Sequence, residues 1–320
     1  MKLNRGINLG GYLSQCRHTK EHYESFIKAE DLKIISDAGF DHVRLPVDHN
    51  VWEFVDGSEN EYGYSLTDRA VSWCKDAGLN VILDLHKAKG YDFNDANNAE
   101  KNNLFTNKEL QERFITLWGR TAKRYGKCEN VAFELLNEVV EESNVDAWNS
   151  LIARTVSKIR EYAPTTTVIY GGIQWNNVEK IKYLEKPADE NIMFTFHYYS
   201  PMPFTHQRAP WVPTIDQNAT AYYPDEASGA TIDYPRTVIK DGVEAAKRYG
   251  VKLYCGEFGV IDQAPVEDTL RWYKDTVKVF EEYDIACSPW TYKWMSFGLW
   301  DEHYAPIRKD LIKVLTGKNI

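Results

Sequence analysis

The chain has no cysteine framework. Its five cysteines (Cys16, Cys74, Cys128, Cys255 and Cys287) are odd in number, scattered, and never form a C-x-x-C pair. That argues against a disulfide scaffold and against a structural zinc site. Blocks of basic residues are also missing, and the formal charge is −9, so a nucleic-acid partner is not expected. No apolar run is long enough to span a bilayer, which argues against a membrane protein. The opening residues, Met1-Lys2-Leu3-Asn4-Arg5-Gly6, contain no apolar secretion-signal core. A cytoplasmic protein is expected, although a secreted chain already relieved of its signal peptide would read identically. Neither G-x-G-x-x-G nor G-x-x-x-x-G-K-S/T occurs, so no dinucleotide or P-loop cofactor is expected. Linkers, low-complexity tracts and appended modules are absent too, and a single domain over residues 1–320 is the expectation.

What is present is ordinary for a soluble globular protein, 43% apolar and 27% charged. Aromatics are plentiful, with 10 Trp and 20 Tyr. Such rings fill cores, and they also suit a surface that stacks on sugars or bases. One stretch stands out: Val131-Ala132-Phe133-Glu134-Leu135-Leu136-Asn137-Glu138. It begins as a strand buried on both faces and stops on a carboxylate.

Around it the chain repeats one cycle of apolar strand, loop, amphipathic helix and glycine. Ile7-Asn8-Leu9 opens the series, followed by a helix over 28–38, Gly39 and the strand His42-Val43-Arg44-Leu45-Pro46. Residues 65–77 place Leu66, Ala70, Trp73 and Ala77 on one helical stripe, with Ser65 as the start signal. The strand 80–86, the helix 107–125 and the Val131 strand follow. A helix over 145–162, the strand 168–172 and the strand 191–198 come next. A long loop rich in Pro and aromatics (200–233) leads to a helix ending at Gly250 and the strand 252–258. A helix over 265–283, the strand 285–292 and a closing helix over 305–315 complete the chain. Eight alternating units imply parallel strands joined by right-handed crossovers. An α/β fold of the (β/α)₈ (TIM) barrel type is expected, extended in the loop between strands six and seven.

In such barrels chemistry sits at the carboxyl ends of the strands. The polar residues there are Asn8, Arg44, His86, Asn137 and Glu138, His197 with Tyr198 and Tyr199, Glu257, and Trp290-Thr291-Tyr292. Strand five ends in Gly171-Gly172 and offers no polar group itself, although Gln174, Trp175 and Asn176 follow. Glu257 ends strand seven as Glu138 ends strand four, and these two ends face each other across a barrel mouth. Two facing carboxylates are what glycoside hydrolysis requires, one protonating the leaving oxygen while the other attacks or activates water. Their surroundings must differ for the roles to divide. Arg44 and a tyrosine hydroxyl would keep Glu257 ionised, and a less polar setting would raise Glu138. Either glutamate alone reads more simply as a helix-cap or salt-bridge residue; the pair does not.

The six segments Arg5-Gly6-Ile7-Asn8-Leu9-Gly10-Gly11, Val43-Arg44-Leu45-Pro46, Asp84-Leu85-His86, Leu136-Asn137-Glu138, His197-Tyr198-Tyr199 and Gly256-Glu257-Phe258-Gly259 resemble glycoside hydrolase family five in order and spacing. They span essentially the whole chain. Phe204-Thr205-His206-Gln207-Arg208-Ala209-Pro210-Trp211 and Trp290-Thr291-Tyr292-Lys293 look like the compact single-domain bacterial endoglucanases of that family. The resemblance implies Glu138 as acid/base and Glu257 as nucleophile, with Arg44 and Tyr199 orienting the nucleophile. It implies Asn137 on the sugar 2-hydroxyl, His86 on neighbouring hydroxyls, His197 beside the acid/base, and Trp290 beneath the distorted sugar. No cofactor and no metal are implied. Many members carry a second histidine directly after the one on strand three; here it is Lys87.

Other roles compete for several of these residues. Arg44 could pair with Glu134, which shares strand parity with Glu138. His86 and Asp84 lack a third metal ligand at a recognised spacing. Cys255 reads as core. Trp175, Trp211, Phe204 and Tyr12 are candidate stacking platforms, with Trp211 preferred, while His206 and Asp262 are assigned no role. The expected activity is a retaining endo-β-1,4-glucanase acting on a β-glucan polysaccharide or oligosaccharide. The same chemistry on mixed-linkage β-glucan, glucomannan, mannan or β-1,3-glucan, or a non-catalytic carbohydrate-binding protein, are the alternatives. A monomer is expected.

Overall fold

The computed structural model describes residues 1–319. Eight strands form one sheet in sequence order: β1 (Gly6–Asn8), β2 (His42–Asp48), β3 (Asn80–Lys87), β4 (Val131–Glu134), β5 (Val168–Gly171), β6 (Ile192–Tyr198), β7 (Lys252–Phe258) and β8 (Ala286–Cys287). Every neighbouring pair is parallel. A parallel bridge between Arg5 and Cys287 brings the two edges together. The Cys287 N–H donates to Asn4 O at 3.0 Å, and Asn8 N–H donates to Pro289 O at 3.1 Å. The barrel fold expected from the alternating pattern is the one observed.

Strand alternation explains why the runs are almost wholly apolar. One set of side chains, including Val43, Leu83, Phe133, Phe194 and Cys255, packs outward against the helices in the main core. The other set points inward, where Leu3, Ile82, Ala132, Ile169, Met193 and Tyr254 form a separate apolar layer. Two residues further along β3 and β4 the inward positions turn polar, with Asp84 and Glu134 fully buried. Inward side chains recur every second residue, so the polar layer lies on the carboxyl side of the apolar one. The site therefore stands on a packed floor.

Several boundaries differ from expectation. Regular pairing in β4 ends at Glu134 rather than Glu138, because Leu135–Glu138 leave the ladder to reach the barrel mouth. Its path is still held by Asn137 N–H donating to Leu85 O at 3.1 Å. Strand β8 is only two residues long, and Trp290 lies beyond it, its N–H donating to Phe258 O at 2.9 Å. The second long helix begins at Glu61, not Ser65, because Asn60 caps it by accepting from Gly63 N–H at 3.3 Å. Ser65 lies inside that helix and donates its hydroxyl to Tyr62 O at 2.6 Å. Among the described residues no helix is long and apolar enough to cross a membrane.

Candidate active site

Arg44 is the hub of the polar layer and is fully buried. Its Nε and Nη2 donate to Glu134 at 2.7 and 3.0 Å, and Nη2 also lies 3.0 Å from Asp84 Oδ2. Nη1 donates to Asn8 Oδ1 at 3.0 Å and to Glu257 Oε1 at 2.7 Å. Nη2 donates again to Asn137 Oδ1 at 2.8 Å. The competing partners Glu134 and Glu257 are thus held at once, as a planar group with five donors allows. A guanidinium can only donate, so it turns the Asn137 carbonyl oxygen inward and leaves the amide N–H₂ facing away from the hub.

Glu257 sits opposite His197 because the β6–β7 pairing skips a residue after Phe196 and Cys255. It accepts from Arg44 on one oxygen and from the Tyr199 hydroxyl on the other, at 3.0 Å. Glu138 has no such cation. Its Oε1 lies 2.7 Å from His197 Nδ1, and burial lifts its pKa to about 7. Burial likewise depresses His197 to about 4, so its ring is neutral near pH 7. Oxygens of the two glutamates and His197 Nδ1 all lie within 4.8 Å of one another. These three groups could in principle hold a metal ion, but their geometry is that of a hydrogen-bonded His197–Glu138 pair.

His86 is oriented at both nitrogens, with Asp84 Oδ2 2.7 Å from Nδ1 and Gln15 Nε2 3.0 Å from Nε2. Its ring stacks on Trp290, with centroids 5.7 Å apart and planes 6° apart. Burial pushes His86 down to about 4, so it too is neutral. Lys87 is tied to Asp92 Oδ2 at 2.7 Å. A pocket of about 440 Å³ opens on this side, lined by Gln15, His18, Asp48, Lys87, Asp92 and Lys101 among others. His18 is raised to about 9 there, chiefly by its hydrogen bond with Asp48, so the pocket carries a cation facing acidic groups.

Of the candidate stacking residues, Trp211 and Trp175 are about half exposed, at 53% and 48%. Trp211 meets His206, which packs edge-on against Tyr199. The Trp175 N–H donates to Val139 O at 3.1 Å, next to Glu138. Two expectations fail. Tyr12 is buried, its hydroxyl accepting from Arg69 at 2.9 Å, and Phe204 is buried against Tyr223. Neither ring has a free face.

Two residues to which no role was assigned hold the site together. Gln15 orients His86, and nothing in its sequence surroundings marks it. Asn176 is buried and donates its amide to Asn137 O. The signal for it was the pair Gly171-Gly172, since glycine at a strand end often marks close approach by another group. A β-carbon at Gly171 would overlap the Asn176 side chain.

An eight-stranded parallel barrel with facing carboxylates, one just beyond β4 and one near the end of β7, has the architecture of a glycoside hydrolase. The chain belongs to glycoside hydrolase family 5: residues 6–296 match the cellulase (glycosyl hydrolase family 5) family. It is 40% identical to Cellodextrinase A of Ruminococcus flavefaciens over 91% of this chain and 86% of that one. It is 38% identical to Endoglucanase C of Acetivibrio thermocellus over 98% of each. Among solved structures, Cel5A of Thermotoga maritima in complex with cellobiose superposes with a TM-score of 0.82 at 27% identity, covering 98% of this chain and 97% of that one.

Proposed function

We propose that the chain is a retaining endo-β-1,4-glucanase, with Glu138 as acid/base and Glu257 as nucleophile. The observation that carries this reading is two close carboxylates in unlike surroundings. One oxygen of each lies within 4.8 Å of one of the other, closer than the roughly 6.5–9.5 Å gap that admits a water in inverting sites. One is neutral-leaning through burial, and the other is held by a guanidinium and a phenol.

In the first step a Glu257 oxygen attacks the anomeric carbon while the Glu138 proton passes to the glycosidic oxygen. The bond to the leaving sugar breaks and a glycosyl–Glu257 ester forms. In the second, Glu138 takes a proton from water, the hydroxide oxygen bonds to the anomeric carbon, and Glu257 leaves as carboxylate. Asn137 directs its amide N–H₂ at the sugar 2-hydroxyl, and Tyr199 and Arg44 hold Glu257 in line. Trp290, fixed against His86, offers its ring beneath the sugar. Trp211 serves as an outlying platform.

The roles are separable by azide rescue. Glu257→Ala with azide and an activated β-cellobioside should yield the α-glycosyl azide, and Glu138→Ala the β-glycosyl azide. The opposite assignment, or an inverted anomer from the unmodified enzyme, sinks the reading. The name of the 40% relative favours one variation, action on short cello-oligosaccharides. Rapid viscosity loss in carboxymethylcellulose with few new reducing ends would favour internal cleavage over that reading. A panel with mannan and mixed-linkage β-glucan separates the remaining substrates.

A further inference from the structure

One buried amide at the barrel mouth is not used by the double-displacement scheme. Asn176 is 1% exposed and ends a run of three left-handed residues, with φ of 54° at Gln174, 57° at Trp175 and 54° at Asn176. Side-chain-bearing residues persist in that conformation only where their surroundings over-determine it. Here the segment is clamped on two sides. The Gln174 and Trp175 N–H groups donate to Val140 O and Val139 O, each at 3.1 Å, and Asn177 bridges to His197 in parallel fashion. The clamp joins the segment carrying Glu138 to the strand carrying His197.

We propose that Asn176 is a positioning residue that fixes the tautomer of His197, and through it selects the Glu138 oxygen that carries the catalytic proton. The proposal rests on the reading of Glu138 as acid/base. Its starting point is a group with no ambiguity: the Asn137 carbonyl can only accept, so the Asn176 N–H₂ must face it. The second N–H of that amide is then turned toward His197 Nε2, at a long 3.4 Å. A nitrogen that faces an N–H cannot carry its own proton, so the neutral ring holds its proton on Nδ1. That proton is donated to Glu138 Oε1, 2.7 Å away. With Oε1 committed as acceptor, the acid form of Glu138 bears its proton on Oε2.

Removing the amide frees the alternative tautomer. With the proton on Nε2, a bare Nδ1 faces Oε1 and draws the carboxylic proton to that oxygen. The acid is then hydrogen-bonded to His197 instead of to the leaving group.

Asn176→Asp keeps the shape and replaces the donor by an acceptor. The readout is kcat/KM, which reports the glycosylation step, on two substrates of unequal need for acid catalysis. Cellotetraose has a basic leaving group and should lose about 10- to 100-fold. 2,4-Dinitrophenyl β-cellobioside leaves without protonation and should stay within about threefold. A parallel loss on both, as from general distortion or misfolding, overturns the proposal, and so does no loss on either. Independently of any variant, ¹⁵N NMR of histidine-labelled wild type should show His197 protonated at Nδ1 and bare at Nε2, the signal being assigned by its absence in His197→Asn. A proton on Nε2 overturns it. Wild-type protein inert on both substrates would instead refute the proposed function, while the ring-nitrogen measurement would still decide the tautomer.

Discussion

Arg44 has to satisfy more partners than either glutamate. One cation faces Asp84, Glu134 and Glu257, and it also sets the amide of Asn137. The identity of this residue is therefore a question of donor geometry as much as of charge. A lysine ammonium is a point charge with three donors, and it cannot serve Glu134 twice and still reach Asn8, Asn137 and Glu257. Arg44→Met removes the charge at similar bulk and strands the carboxylates in a buried layer. Breaking a buried ion pair from one side costs about 3–5 kcal/mol, so urea unfolding at pH 7 should show a loss of that order. The loss should shrink at pH 4, where the stranded carboxyls protonate more readily. A stability unchanged at pH 7 would mean that the carboxylates are not charged as described.

At the scale of elements, the sequence was most legible where packing on both faces forces a pattern. The strands 42–46, 80–86 and 252–258 read clearly because their outward residues meet helices and their inward residues meet the Ile82–Tyr254 layer. Legibility failed where the backbone leaves the ladder. Leu135 and Leu136 are buried like strand residues but belong to the turn that lifts Glu138 into the mouth. Trp290 sits beyond a strand of two residues for the same reason. Asn176, noted only as following strand five, was assigned no role because its placement depends on a left-handed run at which only the preceding glycines hint. That Glu138 and Glu257 face one another was legible because each sits at or just past the carboxyl end of its strand, and that position is a local property. Tyr12 and Phe204 misled because a ring in a loop looks the same whether its face is free or packed. The β5 turn carries its own prediction. A β-carbon at Gly171 would overlap Asn176, so Gly171→Ala must displace that amide or the strand end. Overpacking of this kind costs about 1–3 kcal/mol, measurable by thermal or urea unfolding. Gly171 does not lie in the left-handed region, so a neutral substitution would mean that Asn176 does not crowd this position.

Across the whole molecule, the site opposes stability in a way that depends on pH. Glu138 is raised from 4.5 to about 7 by burial, so the folded state prefers its acid form. Its contribution is fully present below pH 4.5, the unfolded value, and is lost as pH rises through about 7. His197 and His86, lowered from 6.5 to about 4, act in the opposite sense and lose stability as pH falls through the same window. Between about pH 4 and 7 the two kinds of group offset one another, which masks each in the wild type. Glu138→Gln removes one of the raised carboxyls, leaving Asp84, which burial lifts from 3.8 to about 7, on the same side. The amide is neutral at every pH and keeps an oxygen for the His197 N–H. At pH 8 the variant should therefore exceed wild type by about 3 kcal/mol, each tenfold change in proton affinity being worth roughly 1.4 kcal/mol. At about 2.1 cal/mol/K per residue this corresponds to a rise in Tm of about 4–5 °C. At pH 4 the two proteins should melt together. Activity should fall over the same rise in pH in which wild type loses stability, since both follow loss of the Glu138 proton. A variant no more stable than wild type at pH 8 would mean that Glu138 is not strained by its burial, and the basis for its acid role would go with it.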